Sequence, residues 1–390
     1  MKTTHSRTIF ATMALAALGI TMTSARAQTT AGLINWLLVS DINAPTDVNK
    51  TGTLCIAANL GPEVCEKVVG GVHFQADRAH WTKKKLLRGG AIVRGQMYWP
   101  DLRSGGFVLK MPFDRAAGMG QPPNITDPAY KACLGSGRHK SPTYPSTVRC
   151  SIEGLTPGNT YLIQIWFAES RGRTTEWDDG QGGREGKGGV FLTSNNTAKG
   201  QYVIGTFKAA ANGIQTFTNY QQKADITKTP PLKETWGICN MIQIRDSTPK
   251  AGAARATYYG EGTPGTNTQP NLGGTKCSPA ISLDGHPKMG TKVDLTAENS
   301  QDKSSSAMVV LGLAPLNLSY LSGVLLVNPI LALPVPMPQP ASPYVHDHEL
   351  KIPLTVPNSA GTVYVQVLQL DPGAKGGISF TPAMKVEIGT

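Results

Sequence analysis

Short runs of alternating apolar and polar residues, separated by glycine and proline, make up most of this chain. The clearest run is residues 160–168, where bulky side chains occupy both faces, which indicates a strand buried on both sides. The turn before it, residues 155–159, has Pro157 and Gly158 where turn geometry favours them. The same pattern predicts further strands at residues 53–57, 72–75, 107–111, 148–152, 190–193, 202–209 and 239–245.

The last third of the chain carries a second set of strand-like runs, which begins at residues 257–260. Within it, residues 333–340 have a proline at every second position. Proline cannot donate a backbone hydrogen bond, so we expect this segment to be an extended loop between two sheets, and neither a helix nor a central strand. The other strands are predicted at residues 293–295, 307–313, 323–327, 350–356, 362–370 and 384–388.

Composition agrees with many strands and turns. The chain has 43 glycines and 28 prolines, and only 16% of its residues are charged, which disfavours disorder and a long coiled coil. All six tryptophans lie before residue 240, so the composition changes near the last third. We therefore predict an all-β protein: a jelly-roll β-sandwich at residues 32–247, a linker at 248–256, and a smaller β-sandwich domain at 257–390.

The N-terminus has the pattern of an export signal. Lys2 and Arg7 precede an apolar run at residues 9–20, and Ala-Arg-Ala at residues 25–27 matches a signal-peptidase site. We expect residues 1–27 to be removed and the protein to be secreted, periplasmic or at the cell surface. No later run reaches about 18 uninterrupted apolar residues, so no transmembrane segment is expected after cleavage.

The six cysteines predict disulfides, because an even number in an exported chain is typical of crosslinks. None is arranged as C-x-x-C. Fifteen connectivities are possible for six cysteines, and sequence does not choose among them. Cys133 and Cys150 are the pair we favour, since they bracket a connection rich in glycine, serine and proline at residues 135–145. Buried free thiols are the alternative.

Several segments of the first region carry a resemblance to a known family. Its opening resembles residues 47–54, 58–61 and 69–74, and its later signature resembles residues 154–168 followed by Arg171. Residues 200–207 and 242–245 fit the same pattern. Such domains of exported bacterial proteins are similar to galactose-binding-like and malectin-like jelly rolls. The resemblance implies a β-sandwich that binds a glycan or another extracellular ligand, and it brings no catalytic motif.

The last third resembles a second module, which is common at the ends of secreted proteins from environmental bacteria. The likeness lies in residues 259–262, 309–313, 363–367, 370–373 and 386–389. It implies a small β-sandwich of unassigned activity that serves for surface association or spacing.

Aromatic and arginine side chains provide a candidate sugar-binding surface. Sugars are held by aromatic faces against their C–H groups and by planar polar groups on their hydroxyls. The candidates lie in segments rich in glycine and basic residues, one of which, residues 174–189, is predicted to be a long charged loop. Packing in the core is the alternative role for each ring. The candidate ligand-binding residues are Trp81, Tyr98, Trp99, Arg171, Arg173 and Trp177.

Two acidic residues are candidate metal ligands. Asp178 and Asp179 precede glycines, and Ca²⁺ prefers oxygen ligands on turn-rich chain. Sugar-binding jelly rolls often carry such an ion, as the resemblance implies. The D-x-D-x-D alternation of a calcium loop is missing, so a plain acidic turn is the alternative. We predict no cofactor; calcium at Asp178 and Asp179 is the single candidate.

Charge and motifs limit the other functions. The formal net charge of +11 and the basic run at residues 83–88 favour anionic partners, but a solvated basic face explains them equally, and no nucleic-acid partner is predicted. G-x-S-x-G and H-E-x-x-H are absent. We therefore expect a non-catalytic binding protein whose partner is an extracellular glycan or a cell-envelope component. The alternatives are a structural or adhesive envelope protein and a glycoside hydrolase that pairs Glu169 with Glu176 or Asp178.

Overall fold

The computed structural model confirms the all-β prediction, since strands account for 58% of the residues that it describes and helices for 5%. At residues 80–81, 85–86, 92–93, 97–98, 115–118, 146 and 349 only the backbone is described. The structure describes residues 32–60, 66–76, 80–81, 85–86, 92–93, 97–98, 101–113, 115–119, 124–140, 146–179, 189–194, 200–221, 234–248, 254–266, 278–301, 303–339 and 349–390.

The N-terminal part, up to residue 248, is built almost wholly of strands. In chain order its elements are β1 (Asn35–Asp41), a 3-10 helix (Pro45–Asp47), β2 (Thr53–Asn59), β3 (Lys67–Val69), β4 (Val72–Ala76), β5 (His80–Trp81), β6 (Lys85–Leu86), β7 (Ile92–Val93), β8 (Met97–Tyr98), β9 (Leu102–Ser104), β10 (Phe107–Lys110), β11 (Arg115–Gly118), α1 (Pro128–Leu134), β12 (Ser136–His139), β13 (Ser146–Glu153), β14 (Thr160–Phe167), β15 (Thr174–Asp178), β16 (Val190–Thr193), β17 (Gln201–Lys208), β18 (Gln215–Gln221), β19 (Ile238–Cys239) and β20 (Met241–Asp246).

Two large sheets face each other in this part. The first has the order β1-β17-β14-β20-β2-β4-β3, and the second has the order β16-β15-β18-β13-β10-β9. Apolar side chains from both sheets meet between them, among them Ile163 and Ile244 from the first and Ile152 and Phe217 from the second. Strand β14 lies inside the first sheet and is buried from Tyr161 onward, as its two apolar faces predict.

The outer face of the first sheet is covered by α1. Asp127 caps this helix by accepting a hydrogen bond from the Tyr130 backbone N–H at 2.7 Å, and Pro128 follows at the first helical position. The helix buries Tyr130, whose hydroxyl accepts a 2.9 Å hydrogen bond from Trp166 Nε1. Phe74 packs edge-on against the same indole, so a second core forms on this face.

The predicted Cys133–Cys150 disulfide is wrong. Cys133 lies in the core under α1, whereas Cys150 lies in the core between the two sheets, and both are free thiols. Cys55 and Cys239 are also free and buried, while Cys65 and Cys277 lie outside the described residues. Burial raises the pKa of the Cys55, Cys133 and Cys150 thiols, which keeps them protonated and unreactive.

The C-terminal part, from residue 254, is a second arrangement of sheets. Its elements are β21 (Arg255–Tyr259), β22 (Ile281–Asp284), β23 (Lys292–Glu298), β24 (Ser305–Gly312), β25 (Pro315–Tyr320), β26 (Gly323–Val327), β27 (Leu331–Met337), β28 (Glu349–Thr355), β29 (Gly361–Leu370), a 3-10 helix (Lys375–Gly377), β30 (Ile378–Phe380) and β31 (Ala383–Ile388).

The main sheet of this part has the order β21-β31-β29-β24-β27, with β30 also paired to β29. One face packs on the three-stranded sheet β22-β23-β28, around Leu295, Val309 and Val367. The other face packs on the β25-β26 hairpin, around Val310 and Phe380.

The prediction of a loop at residues 333–340 is wrong for residues 333–337, because Leu331–Met337 forms strand β27. The strand lies at the end of the described sheet and pairs with β24 alone there. Pro334 and Pro336 have no N–H to donate to β24. The alternate residues of the strand, such as Val335, therefore carry the ladder, and the proline nitrogens face the open edge. The segment is therefore an edge strand. The prediction had excluded a helix and a central strand, and it did not consider an edge strand.

The described residues form four apolar cores, and none of these combines residues from both parts: two lie within residues 34–244 and two within residues 256–388. The predicted domain boundaries at residues 247 and 257 stay predictions.

Candidate functional site

Trp177, the predicted sugar-stacking residue, lies in the core between the two large sheets. Residues 174–178 form strand β15 instead of the start of a loop. Because side chains alternate along a strand, Trp177 points inward while its two acidic neighbours point to the other face. Its ring packs against Phe113 and Phe217, with centroid distances of 6.4 and 5.9 Å. The structure thus differs from the expectation of an exposed ring.

Arg171 and Arg173 are brought together by a buried carboxylate. Glu169 is buried; its Oε1 contacts Arg171 Nε and lies 3.8 Å from Arg173 Nη1, and its Oε2 accepts a 2.7 Å hydrogen bond from the Arg171 backbone N–H. The Arg173 guanidinium also lies over the ring of Trp236, 3.5 Å from the centroid. Glu169 therefore orients two arginines. A glycoside hydrolase would instead need Glu169 to face a second carboxyl group across the substrate.

The two candidate calcium ligands are buried at the end of β15. Asp178 Oδ2 accepts a 2.6 Å hydrogen bond from the Tyr220 hydroxyl, and Asp179 follows it in the chain. Across the described residues, no group of three or more His, Cys, Asp or Glu side chains is placed to hold a metal ion. Calcium at Asp178 and Asp179 stays a prediction.

The remaining aromatic candidates are Trp81, Tyr98 and Trp99. Trp81 and Tyr98 lie on the paired strands β5 and β8, whose side chains are outside the description, and Trp99 lies outside the described residues. Among the six predicted binding residues, the structure therefore brings together only Arg171 and Arg173 in the part of the chain that it describes.

A different concave site lies where the two parts of the chain meet. The β9–β10 hairpin turns at Gly105 and Gly106, both with positive φ (54° and 91°), which a two-residue hairpin of this kind requires. The Gly105 N–H donates a 3.1 Å hydrogen bond to the carbonyl of Leu283 on β22. Arg103 Nη1 lies 3.8 Å from Asp284 Oδ1 on the same strand. The hairpin of one part therefore abuts a strand of the other.

His286 fills the space left by the glycine turn. A Cβ on Gly106 would lie 2.5 Å from His286 Cδ2, so only glycine allows this approach. The ring packs edge-on against Phe107 at 5.2 Å, and its Nε2–H donates to the Gly154 carbonyl at 3.2 Å. Burial lowers the pKa of His286 from its ordinary value of 6.5, so the ring is neutral at neutral pH.

Beside this contact is a cleft of about 530 Å³, which we call the junction cleft. Its volume falls in the range of small-molecule sites, about 300–1,000 Å³. Hydroxyl, amide and charged groups line it together with the rings of Phe107 and His286. The lining residues are Thr53, Leu54, Cys55, Phe107, Gly154, Leu155, Thr156, Pro157, Asn159, Ala211, Asn212, Gly213, Asp246, Ala254, Arg255, His286, Lys288 and Thr390.

The polar groups of the junction cleft are held in place by hydrogen bonds. Arg255 donates to Thr53 Oγ1 at 2.8 Å across the two parts, and it also binds Glu387 through two nitrogens. On the other side, Asn159 Nδ2 donates to Asp246 Oδ2 at 2.8 Å. Acidic and basic groups both line the cleft, so it suits a neutral polar ligand as well as a charged one.

One segment of this cleft was predictable from the sequence. The turn predicted at residues 155–159 forms part of the cleft wall. The other wall segments come from residues 53–55, 211–213 and 286–288, which are far apart in the chain. Only the packing of the two parts brings them together, and no local pattern reports that packing.

No family model matches this chain, and no curated protein matches it. Among solved structures it is similar to a GH2 β-galacturonidase from Eisenbergiella tayi bound to galacturonate, at 8% identity over 88% of this chain and 44% of that one, with a TM-score of 0.18. The same kind of enzyme from that organism bound to glycerol matches at 9% identity, 87% and 44% coverage and a TM-score of 0.18. The chain thus spans less than half the length of these proteins, and a TM-score of this size defines neither fold nor function.

Within the part of the chain that the structure describes, no helix is both long and apolar enough to cross a membrane.

Proposed function

We propose that this is an exported, non-catalytic carbohydrate-binding protein, and that the sugar occupies the junction cleft. The observation that carries the proposal is the combination of Phe107 with convergent hydroxyl and amide side chains in one cleft of ligand size. An aromatic ring covers the C–H face of a sugar, and planar amides and hydroxyls match its hydroxyl groups.

The polar groups at the cleft are pre-positioned in a way that favours binding. Asn159 and Asp246 bond to each other, and Arg255 is fixed by Thr53 and Glu387, so little side-chain freedom is lost when a ligand arrives. Lys288 is exposed at the rim and has no ion pair among the described residues, so it is available to a hydroxyl or carboxylate of the sugar.

The groups that line the junction cleft favour binding over glycoside hydrolysis. Glycoside hydrolysis requires two carboxyl side chains on opposite sides of the scissile bond. The lining contributes one acidic side chain, Asp246, which already accepts a hydrogen bond from Asn159. Binding without bond cleavage is the function that this set of groups supports best.

A glycan array tests the proposal most simply. The chain from Gln28 to Thr390 is applied with and without calcium, next to Ala211→Trp, which places a large ring in the cleft, and Ala332→Trp as the matched control. Ala211 is exposed and has no left-handed backbone, so the folded state should accept the change. Ala332 is exposed on β27, at the far edge of the main sheet from β21.

We expect one class of glycan to bind the parent chain and Ala332→Trp, with at least tenfold weaker binding by Ala211→Trp, since the added ring fills the ligand's space. Calcium dependence would add Asp178 and Asp179 to the account as metal ligands. A blank array from folded protein would contradict carbohydrate binding, and equal binding by all three chains would move the site out of the cleft. Release of reducing sugar would replace the binding role with hydrolysis.

A further inference from the structure

The end of the C-terminal part that lies away from the junction cleft carries a group of exposed apolar side chains. Leu370 at the end of β29 is 56% exposed, and Leu318 and Tyr320 on β25 are 51% and 47% exposed. Leu321, in the turn between β25 and β26, is 45% exposed. Together with Lys375 we call these residues the distal tip.

The members of the distal tip surround one short helix. The Leu321 carbonyl oxygen lies so close to Gly376 that a Cβ there would be 2.3 Å from it. Leu370 pairs with Ile378, the residue that follows this Lys375–Gly377 helix. The hairpin turn and the end of β29 therefore meet around the helix, and their apolar side chains lie at the same end of the sheet.

The turn at the tip holds a leucine in an unfavourable backbone conformation. Leu321 and Ser322 have φ of 46° and 63°, and no other non-glycine residue in the described ranges has a positive φ. This two-residue turn favours Asn-Gly, because most side chains clash there. At 45% exposure the Leu321 side chain gains only part of the burial that would offset this strain. Strain that burial offsets only in part points to a role for the side chain outside the folded chain itself.

Charge is distributed around the tip in a way that selects its partner. Residues 304–345, which include the hairpin, contain no Asp, Glu, Lys or Arg. Beside them Lys375 is exposed and forms no ion pair with any described residue. The formal net charge of the chain is +11. An apolar tip with an adjacent lysine on a basic protein is complementary to a surface that is apolar inside and anionic outside.

The position of the tip leaves the junction cleft open. Strand β29 starts at Gly361, which pairs with Ile388 near the cleft-lining Thr390, and it ends at Leu370. Nine residue steps of about 3.3 Å separate its two ends by about 30 Å. A surface that covers the tip would therefore leave the cleft accessible.

We propose that the distal tip binds an anionic lipid surface, with Leu321, Leu318 and Leu370 in shallow contact with the acyl region and Lys375 among the headgroups. Tyr320 is suited to the boundary, because its ring is apolar and its hydroxyl is polar. A second copy of the chain fits this surface less well, since tip-to-tip packing would bring two Lys375 side chains together.

Sedimentation with vesicles tests the proposal on the chain from Gln28 to Thr390. The vesicles contain either equal parts phosphatidylethanolamine and phosphatidylglycerol or phosphatidylcholine alone. Leu321→Asn is the decisive variant: asparagine tolerates the left-handed turn, so the fold keeps or gains stability while the apolar side chain is lost. Leu313→Asn is the matched control, because Leu313 is 67% exposed beyond the opposite end of β24. Lys375→Gln tests the contribution of charge.

We expect binding to the anionic vesicles, about tenfold weaker for Leu321→Asn and unchanged for Leu313→Asn. Lys375→Gln should bind less at low salt and depend less on salt. The proposal fails if the parent chain ignores anionic vesicles at low salt, or if both leucine variants weaken binding equally. It also fails if Leu321→Asn changes the mass of the protein without lipid, which would assign the tip to self-association. None of these outcomes depends on whether the junction cleft binds sugar.

Discussion

At position 177 an indole ring lies between two phenylalanines in the core, although its sequence neighbours are acidic. Glu176 and Asp178 are also buried, because the outer face of β15 is covered. The sequence therefore suggested a charged loop, since burial of both faces is invisible when one face is polar. By contrast Trp166 has apolar neighbours on the strand predicted to be buried on both sides, and it is fully buried.

The packing of Trp177 predicts a large effect on stability. Trp177→Ala should lower the free energy of unfolding by about 3–5 kcal/mol, because it removes a ring from a closely packed core and leaves a cavity. Trp177→Phe keeps an aromatic ring and should cost clearly less. Urea unfolding followed by far-UV circular dichroism measures both. A loss below about 1 kcal/mol for Trp177→Ala would show that the ring does not lie in this core.

At the scale of elements, strands with a clear pattern were predictable and strands defined by their neighbours were not. The run at residues 160–168 matches β14, and the run at residues 202–209 matches β17. Strand β27 was missed because its prolines suit only an edge, and sequence alone does not say which strand lies at an edge. The disulfide prediction was wrong for the same reason, because nothing in the local sequence shows that Cys133 and Cys150 lie in different cores.

The pairing of β21 with β31 predicts a dependence of stability on pH. Arg255 on β21 hydrogen-bonds to Glu387 on β31, and this holds the pKa of the Glu387 carboxyl below its ordinary value of 4.5. A carboxyl whose pKa is lowered by folding stabilises the fold above its unfolded pKa, and the stability is lost as pH falls through the folded pKa. Melting temperatures of the parent chain and Glu387→Gln, from neutral pH to about pH 3, measure this.

We expect the parent chain to melt above Glu387→Gln at neutral pH, and the difference to shrink below pH 4.5, where the carboxyl of the unfolded chain takes up a proton. Lys385→Gln removes the smaller of the two contacts that lower the pKa of Glu387, from Lys385 Nζ at 3.0 Å, so its melting difference should be smaller and should shrink over the same pH range. A difference that stays constant over the whole pH range would contradict a role for the ionised pair.

At the scale of the whole molecule, the proposed function depends on how the two parts meet. The sequence predicted two β-sandwich regions, and the cores lie within one part or the other. It did not predict the junction cleft, because a glycine turn, a histidine and two arginine contacts must first bring distant segments together. We propose that the junction cleft binds the sugar and that the distal tip, at the other end of a strand about 30 Å long, contacts the membrane.

The most direct test of the central claim is hydrogen–deuterium exchange of the chain from Gln28 to Thr390, with and without the glycan that binds best on the array. We predict slower exchange in the two turns that line the cleft, residues 154–159 and 211–213, and around His286, with no change in β15. Protection confined to residues 171–179, or to any region away from the cleft, would contradict the account.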